Sequence, residues 1–177
     1  MKTYIALFRG INVGGNNILR MKDLVSLLER LEARQVKTYI QSGNVVFQHQ
    51  TEDMTSFSNE ISTAIKASHG FAPRVLLLTL AELEQAIAAN PFPQAEVEPK
   101  TLHLYFLVTP AQTPAWSLLE SLKKENEQFQ LTDKVFYLYA PDGIGRSKLA
   151  ERVEQVLGVA ATARNWRTVS KVMAMAK

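Results

Sequence analysis

The chain has 177 residues, 46% of them hydrophobic, and carries 20 Lys/Arg against 17 Asp/Glu for a net charge of +3, which suits one ordinary domain or two small ones with cores of their own. It has no cysteine, so disulfides, thiolate metal sites and cysteine nucleophiles are excluded, and a reducing cytoplasm is the expected compartment. No basic-then-apolar leader opens the chain and no apolar run approaches the ~18 residues that span a bilayer, so a soluble protein without a membrane partner is expected.

Residues 3–9 read as a buried strand, and Arg9 to Asn17 (RGINVGGNN) join it to a helix beginning near Arg20. That connection holds one guanidinium, three side-chain amides and three glycines, with no carboxylate. It is suited to gripping a guest through hydrogen bonds, or to satisfying its own backbone as a tight turn. Met21, Leu24, Val25, Leu28 and Leu31 then share a helical face. Val36–Ile40 and Asn44–Gln48 read as a hairpin around Gln41, Ser42 and Gly43. A second helix has Phe57, Ile61 and Ile65 on one side and Gly70 where a C-cap belongs; Pro73–Thr79 is a fourth strand. The order βαββαβ is that of a ferredoxin-like plait. A helix over 79–90 follows, opened by a Thr79/Glu82 capping box.

Pro91, Pro93 and Pro99 mark a connector over 91–100, placing a first module with its trailing helix at 1–90 and a second at 101–177. In the second, Leu102–Val108 is a strand and Thr113 caps a helix with Pro114 at its first position. Gln128–Leu131 and Lys134–Ala140 form a hairpin, a helix runs from about Arg146 to Leu157, Val159–Ala163 is a short strand, and a terminal helix starts near Trp166. The expected fold class is therefore α+β: two ferredoxin-like βαββαβ modules in tandem plus a C-terminal helix. Residues 134–177 carry 8 Lys/Arg against 3 Asp/Glu, a net +5, while residues 1–133 carry 12 against 14, a net −2, so the basic character lies toward the carboxyl end. The strands at 4–8, 75–78 and 104–108 are apolar on both faces, so the face not covered by helices must meet the other plait or a second chain.

In a plait the first and third strands are antiparallel neighbours. This topology brings Arg9 to Asn17 beside Gln41–Asn44 (QSGN), near the start of the first helix, where free backbone donors favour an anion. In the second half, Pro141–Lys148 (PDGIGRSK) and the residues Thr162, Arg164, Asn165 and Trp166 fall at one edge. Gly143, Gly145, Ser147 and Lys148 supply backbone donors, a hydroxyl and a cation, or simply a turn with an N-cap serine. The spacing is not that of a Walker A loop. Trp166 reads first as a core anchor and second as a stacking surface. His49, His69 and His103 share no ligand-like spacing, and Ser42 and Ser147 have no histidine base nearby in the pattern, so no metal, cofactor or serine nucleophile is expected.

The motifs RGINVGG, QSGNVVF, NPF, PDGIGRSKL and TARNWRTVSK, in that order, resemble the bacterial family grouped as domain of unknown function 1697, and the resemblance covers nearly the whole chain. It implies a pair of ferredoxin-like modules in a cytoplasmic protein and implies no activity or ligand. Arg9, Gly10, Asn12, Gly14, Gly15, Ser42, Gly43, Asn44, Ser147, Lys148, Arg164, Asn165, Trp166 and Thr168 match its motifs, whereas Val172 stands where the family often has leucine.

The leading functional reading is a small anionic ligand, phosphorylated or carboxylated and nucleotides included. Arg9, Asn12, Gly14, Gly15, Ser42 and Asn44 would hold it in the first half, or Gly145, Ser147, Lys148, Arg164 and Asn165 in the second. No residue is assigned a catalytic role, and whether the protein is an enzyme is left open. Ranked below is binding of single-stranded nucleic acid on Tyr105, Tyr137 and Tyr139, which occupy the positions of an RNA-recognition platform. A third reading is a structural or partner-binding protein with no ligand.

Overall fold

The computed structural model describes residues 1–177. Strand β1 (Lys2–Arg9) alternates Tyr4, Ala6 and Phe8 with Ile5 and Leu7, and all five are buried. It is followed by α1 (Met21–Arg30), β2 (Arg34–Tyr39), β3 (Asn44–His49), α2 (Met54–His69) and β4 (Arg74–Thr79). The sheet order is β2-β3-β1-β4, antiparallel throughout, which is the expected plait. Tyr4, Ala6, Phe8, Val45 and Phe47 face the helices and pack with Leu24, Leu28, Ile61 and Ile65. Each of these side chains larger than alanine contributes about 2 kcal/mol by leaving water.

Helix α3 (Leu80–Ala88) starts as its sequence requires: the Thr79 backbone N–H donates to Glu82 Oε2 at 2.8 Å, and the Glu82 N–H donates to Thr79 Oγ1 at 3.1 Å. The proline-rich stretch beyond it is not featureless. Pro93 and Pro99 each open a short 3-10 turn, Pro93–Val97 and Pro99–Thr101, because the fixed φ of proline suits a first helical position. The second plait comprises β5 (Leu102–Leu107), α4 (Trp116–Leu122), β6 (Gln128–Leu131), β7 (Val135–Tyr139), α5 (Lys148–Leu157) and β8 (Ala161–Asn165), followed by α6 (Trp166–Ala176). Its sheet order is β6-β7-β5-β8. Two expected details differ. Helix α4 begins at Trp116 with Ala115, not Thr113, as the flanking residue and no side-chain cap, and Pro114 lies outside the helix. The last strand runs two residues later than its apolar run suggests, so Arg164 and Asn165 belong to the strand.

The chain divides into two compact units, Met1–Gln85 with Ser170–Lys177, and Ala86–Val169. The division falls inside α3, ahead of the prolines, because residues 86–95 pack on the second sheet. There Tyr137 Oη donates to Ala86 O at 2.6 Å, and the Phe92 and Tyr139 rings lie 6.3 Å apart. Ser170–Lys177 belong to the first unit, where Lys37 Nζ donates to Met175 O at 3.5 Å. Ile5, Leu7 and Val46 in the first sheet, and Leu104, Phe106 and Tyr137 in the second, occupy the faces opposite the helices and are buried.

Two positions expose the tolerances of this packing. Gly43, at φ +86°, accepts the Phe8 N–H at 2.9 Å; a Cβ there would lie 2.6 Å from Ile11 Cδ1 and 2.7 Å from Phe8 Cβ. Gly43→Ala is expected to destabilise by about 3 kcal/mol, combining left-handed strain with overpacking. Gly15→Ala, where the added atom meets open space, is expected to cost only about 1 kcal/mol. Urea unfolding of both variants measures the difference.

His103, on the face of β5 that carries Tyr105 and Leu107, has a buried Nδ1 with no hydrogen-bond partner, and burial holds its imidazole down at about 4. In the unfolded chain the same group takes up its proton near 6.5. Stability is therefore whole above about pH 6.5 and falls as the pH drops toward 4, because only the unfolded form binds the proton readily. With partial exposure allowed for, the loss is on the order of 2 kcal/mol. His103→Leu should flatten the pH dependence of the urea midpoint between pH 7 and 4 by that amount; an unchanged slope would show that His103 is not the titrating group.

Candidate functional site

Arg9 to Asn17 and the β2–β3 connection meet as the plait requires. Leu7 pairs with Asn44, and the Phe8 N–H donates to Gly43 O. Residues 12–17 form a small finger: the Asn12 N–H donates to Asn17 O at 3.0 Å, and Val13 and Asn16 bridge at 3.2 and 2.9 Å. Gly14 and Gly15 are its tip, at φ +57° and +77°, the pattern of a two-residue I′ turn that only glycine or asparagine adopts cheaply. The glycine pair therefore makes a projection and does not sit at the start of α1, whose first residue is Met21 and whose N-cap Arg20 makes no side-chain cap bond.

Asparagines hold the finger down. Asn12 Oδ1 accepts the Leu19 N–H at 2.8 Å, while its Nδ2 donates to Leu19 O and, across to the hairpin, to Gln41 O, each at 2.8 Å. Asn17 Nδ2 donates to Gly10 O at 2.8 Å, and buried Asn44 donates to Tyr39 O and Ser42 Oγ at 2.9 and 3.1 Å. These amides secure the chain on itself. Asn12, Asn17 and Ile40 all have φ near +50°, which asparagine tolerates and a β-branched isoleucine does not. The Ile40 backbone stores about 1–3 kcal/mol that the surrounding bonds must offset.

Charge gathers on the same rim. Arg9 stands opposite Arg74 in the β1–β4 register, and both are also engaged within the chain. Arg20 Nε donates to Asp23 Oδ2 at 2.9 Å, and that bond holds the Asp23 carboxyl below the usual carboxylate range. His69, at the end of α2, lies 3.9 Å from the same carboxylate. The segments 9–23, 39–44 and 66–74, which make this rim, contain Arg9, Arg20, Lys22, Lys66 and Arg74 against Asp23 alone, a net +4 in a chain whose total is +3. Ser68, His69 and Asp23 follow one another in space but do not form a nucleophile. The Ser68 Oγ lies 2.7 Å from His69 Nδ1 and 3.0 Å from Ala64 O, while His69 Nε2 is 3.9 Å from Asp23 Oδ2, beyond hydrogen-bond reach, and Asp23 is held by Arg20.

In the second unit, Leu102 pairs with Tyr139 and His103 with Asn165, so the exit of β7 and the end of β8 share a rim on either side of β5. Arg164, Asn165 and Trp166 lie there with the 141–148 loop. Thr162 does not: it pairs with Phe106, at the far end of the sheet, because β8 runs further along the chain than its apolar residues indicate. Gly145 lies in a 3-10 turn (Ile144–Arg146), and buried Ser147 caps α5, its Oγ accepting the Ala150 N–H at 3.0 Å. Lys148 is exposed, and Asn165 Oδ1 accepts the Thr168 N–H at 3.0 Å at the start of α6. Arg164 donates to Ala163 O at 2.8 Å, and burial lowers its guanidinium to about 10, still a cation at neutral pH. Trp166 is buried.

The three tyrosines do not form one surface. Tyr105 pairs with Phe136 and belongs to the helix-facing core, whereas Tyr137 is on the opposite face and buried, and burial pushes its phenol up to about 12. No three His, Asp or Glu side chains converge as metal ligands, and no helix is long and apolar enough to cross a membrane. What sequence reasoning missed is the cationic rim of the first unit, whose residues are far apart in the chain.

No curated protein matches this chain. Among solved structures, a conserved bacterial protein from Streptococcus pneumoniae is similar, with a TM-score of 0.71 at 25% identity over 99% of each chain. The family described as protein of unknown function (DUF1697) matches residues 1–137, from β1 through the finger, the hairpin and most of β7. With that share of its length matched, the chain belongs to the DUF1697 family.

Proposed function

We propose that the protein is a non-covalent binding protein that takes anions on the rim of its first unit. One observation carries this reading: the Arg9–Arg74 register and the approach of His69 to Asp23 join segments that hold Arg9, Arg20, Lys22, Lys66 and Arg74 with Asp23 as their one carboxylate. A one-signed cluster on a low-dielectric surface raises the local concentration of counter-charged partners. The Gly14 and Gly15 N–H groups at the exposed finger tip add donors, while Asn12 and Asn44 shape the rim and leave contact to the charges. No base, nucleophile and acid converge there, which favours positioning and charge over bond-making.

Thermal shift against tripolyphosphate, ATP and heparin tests the reading. The expected result is a rise in Tm at low salt that vanishes by about 0.3 M NaCl, where screening is strong. Lys22 and Lys66 are exposed, so Lys22→Glu with Lys66→Glu should weaken binding by at least about tenfold without unfolding the protein. No shift with any of the three anions, or a shift indifferent to the double reversal, would overturn it.

A further inference from the structure

Resting on that basic rim, we propose that the finger and the adjoining hairpin dock an acidic protein segment whose aliphatic side chains seat on Val13, Ile18 and Ile40. These three are 63%, 56% and 50% exposed, and they account for three of the seven large hydrophobic side chains left exposed in the chain. Scattered singly they would mean nothing, but the Asn12–Gln41 bond at 2.8 Å ties the two loops that carry them into one platform. Folding gains nothing from showing isoleucine to water, least of all at Ile40, whose backbone is held at φ +50°. Strain at an exposed apolar position points to a task other than stability.

The platform is also built stiff. A two-residue turn closes the finger, asparagine side chains fasten its base to Gly10 and Leu19, and β-branched side chains have few rotamers to lose. Such pre-organisation lowers the entropy lost when a partner docks. The partner's chemistry follows from the surroundings: a net +4 around the platform selects acidic residues, and three aliphatic tips select aliphatic ones. The tips lack the rings on which bases stack and the Trp, Phe and Leu that anchor loops in a membrane interface. A polypeptide that interleaves carboxylates with aliphatic side chains is the occupant that matches both.

Fluorescence anisotropy of the full chain with two labelled peptides of about a dozen residues, one alternating Glu with Leu and the other Glu with Ser, tests this at low salt. The Glu/Leu peptide should bind at least about tenfold tighter. Val13→Ser with Ile40→Asn, which removes two tips and gives position 40 a residue that accepts its φ, should abolish that preference while leaving weak binding of both peptides. Lys22→Glu with Lys66→Glu should weaken both. Equal affinity for the two peptides, or a preference untouched by the tip substitutions, would overturn docking while leaving the anion-binding rim in place. Failure of both peptides and of heparin would remove the rim itself. Tighter binding of oligo-dT or of phosphatidylglycerol vesicles than of the Glu/Leu peptide would equally overturn the assignment, in favour of nucleic acid or a lipid surface.

Discussion

The antiparallel pairing of β1 with β3 is the constraint on which the first unit depends. It sets Leu7 against Asn44 and closes with the bond from Phe8 to Gly43. At that point the chain comes so close to itself that no side chain fits at residue 43. From this one approach follow the seating of Ile11 in the core, the reach of Asn12 to Gln41 and the placement of the finger beside the hairpin. A slip of one residue would exchange the two faces of β3 and undo all of it.

The polar residues that look like a ligand set mostly answer a backbone problem. Glycine and asparagine at positive φ let the chain turn sharply twice within a few residues, and each turn leaves amides and carbonyls that need partners. Asn12, Asn17 and Asn44 provide them. Ser147 and Asn165 do comparable work at the ends of helices in the second unit. Exposed on the first rim are Val13, Ile18 and Ile40 together with Lys22 and Lys66.

Much of the fold was legible because it is written in local periodicity. The helical face of α1, the Thr79/Glu82 box, the glycine-bearing hairpin and the repeated βαββαβ order each depend on a few neighbouring residues. Features set by register were not legible. That Tyr105 faces the helices while Tyr137 faces away depends on the pairing of Tyr105 with Phe136, which no single strand encodes. The offset of β8, which carries Thr162 to the wrong end, comes from pairing with β5 that outweighs the apolar run at Val159–Ala163. The family motifs located the loops, and a Gly-Gly pair, which serves a phosphate cradle and a hairpin tip equally well, forms the tip here. Charge along the chain lies mostly in residues 134–177, and it takes the β1–β4 register to set Arg9 opposite Arg74 in the first unit.

Ser170–Lys177 belong to the first unit although all of the second lies between them and its other residues. On the ribosome, residues 1–85 can pair their strands as soon as they emerge, but the unit must wait for the whole of the second before its final segment arrives. Until then the unit lacks the segment that carries buried Val172 and the Met175 carbonyl to which Lys37 donates. Completion of the earlier-born half is thereby tied to translation of the later one, and a ribosome that stalls between them leaves a nascent chain with an unfinished surface.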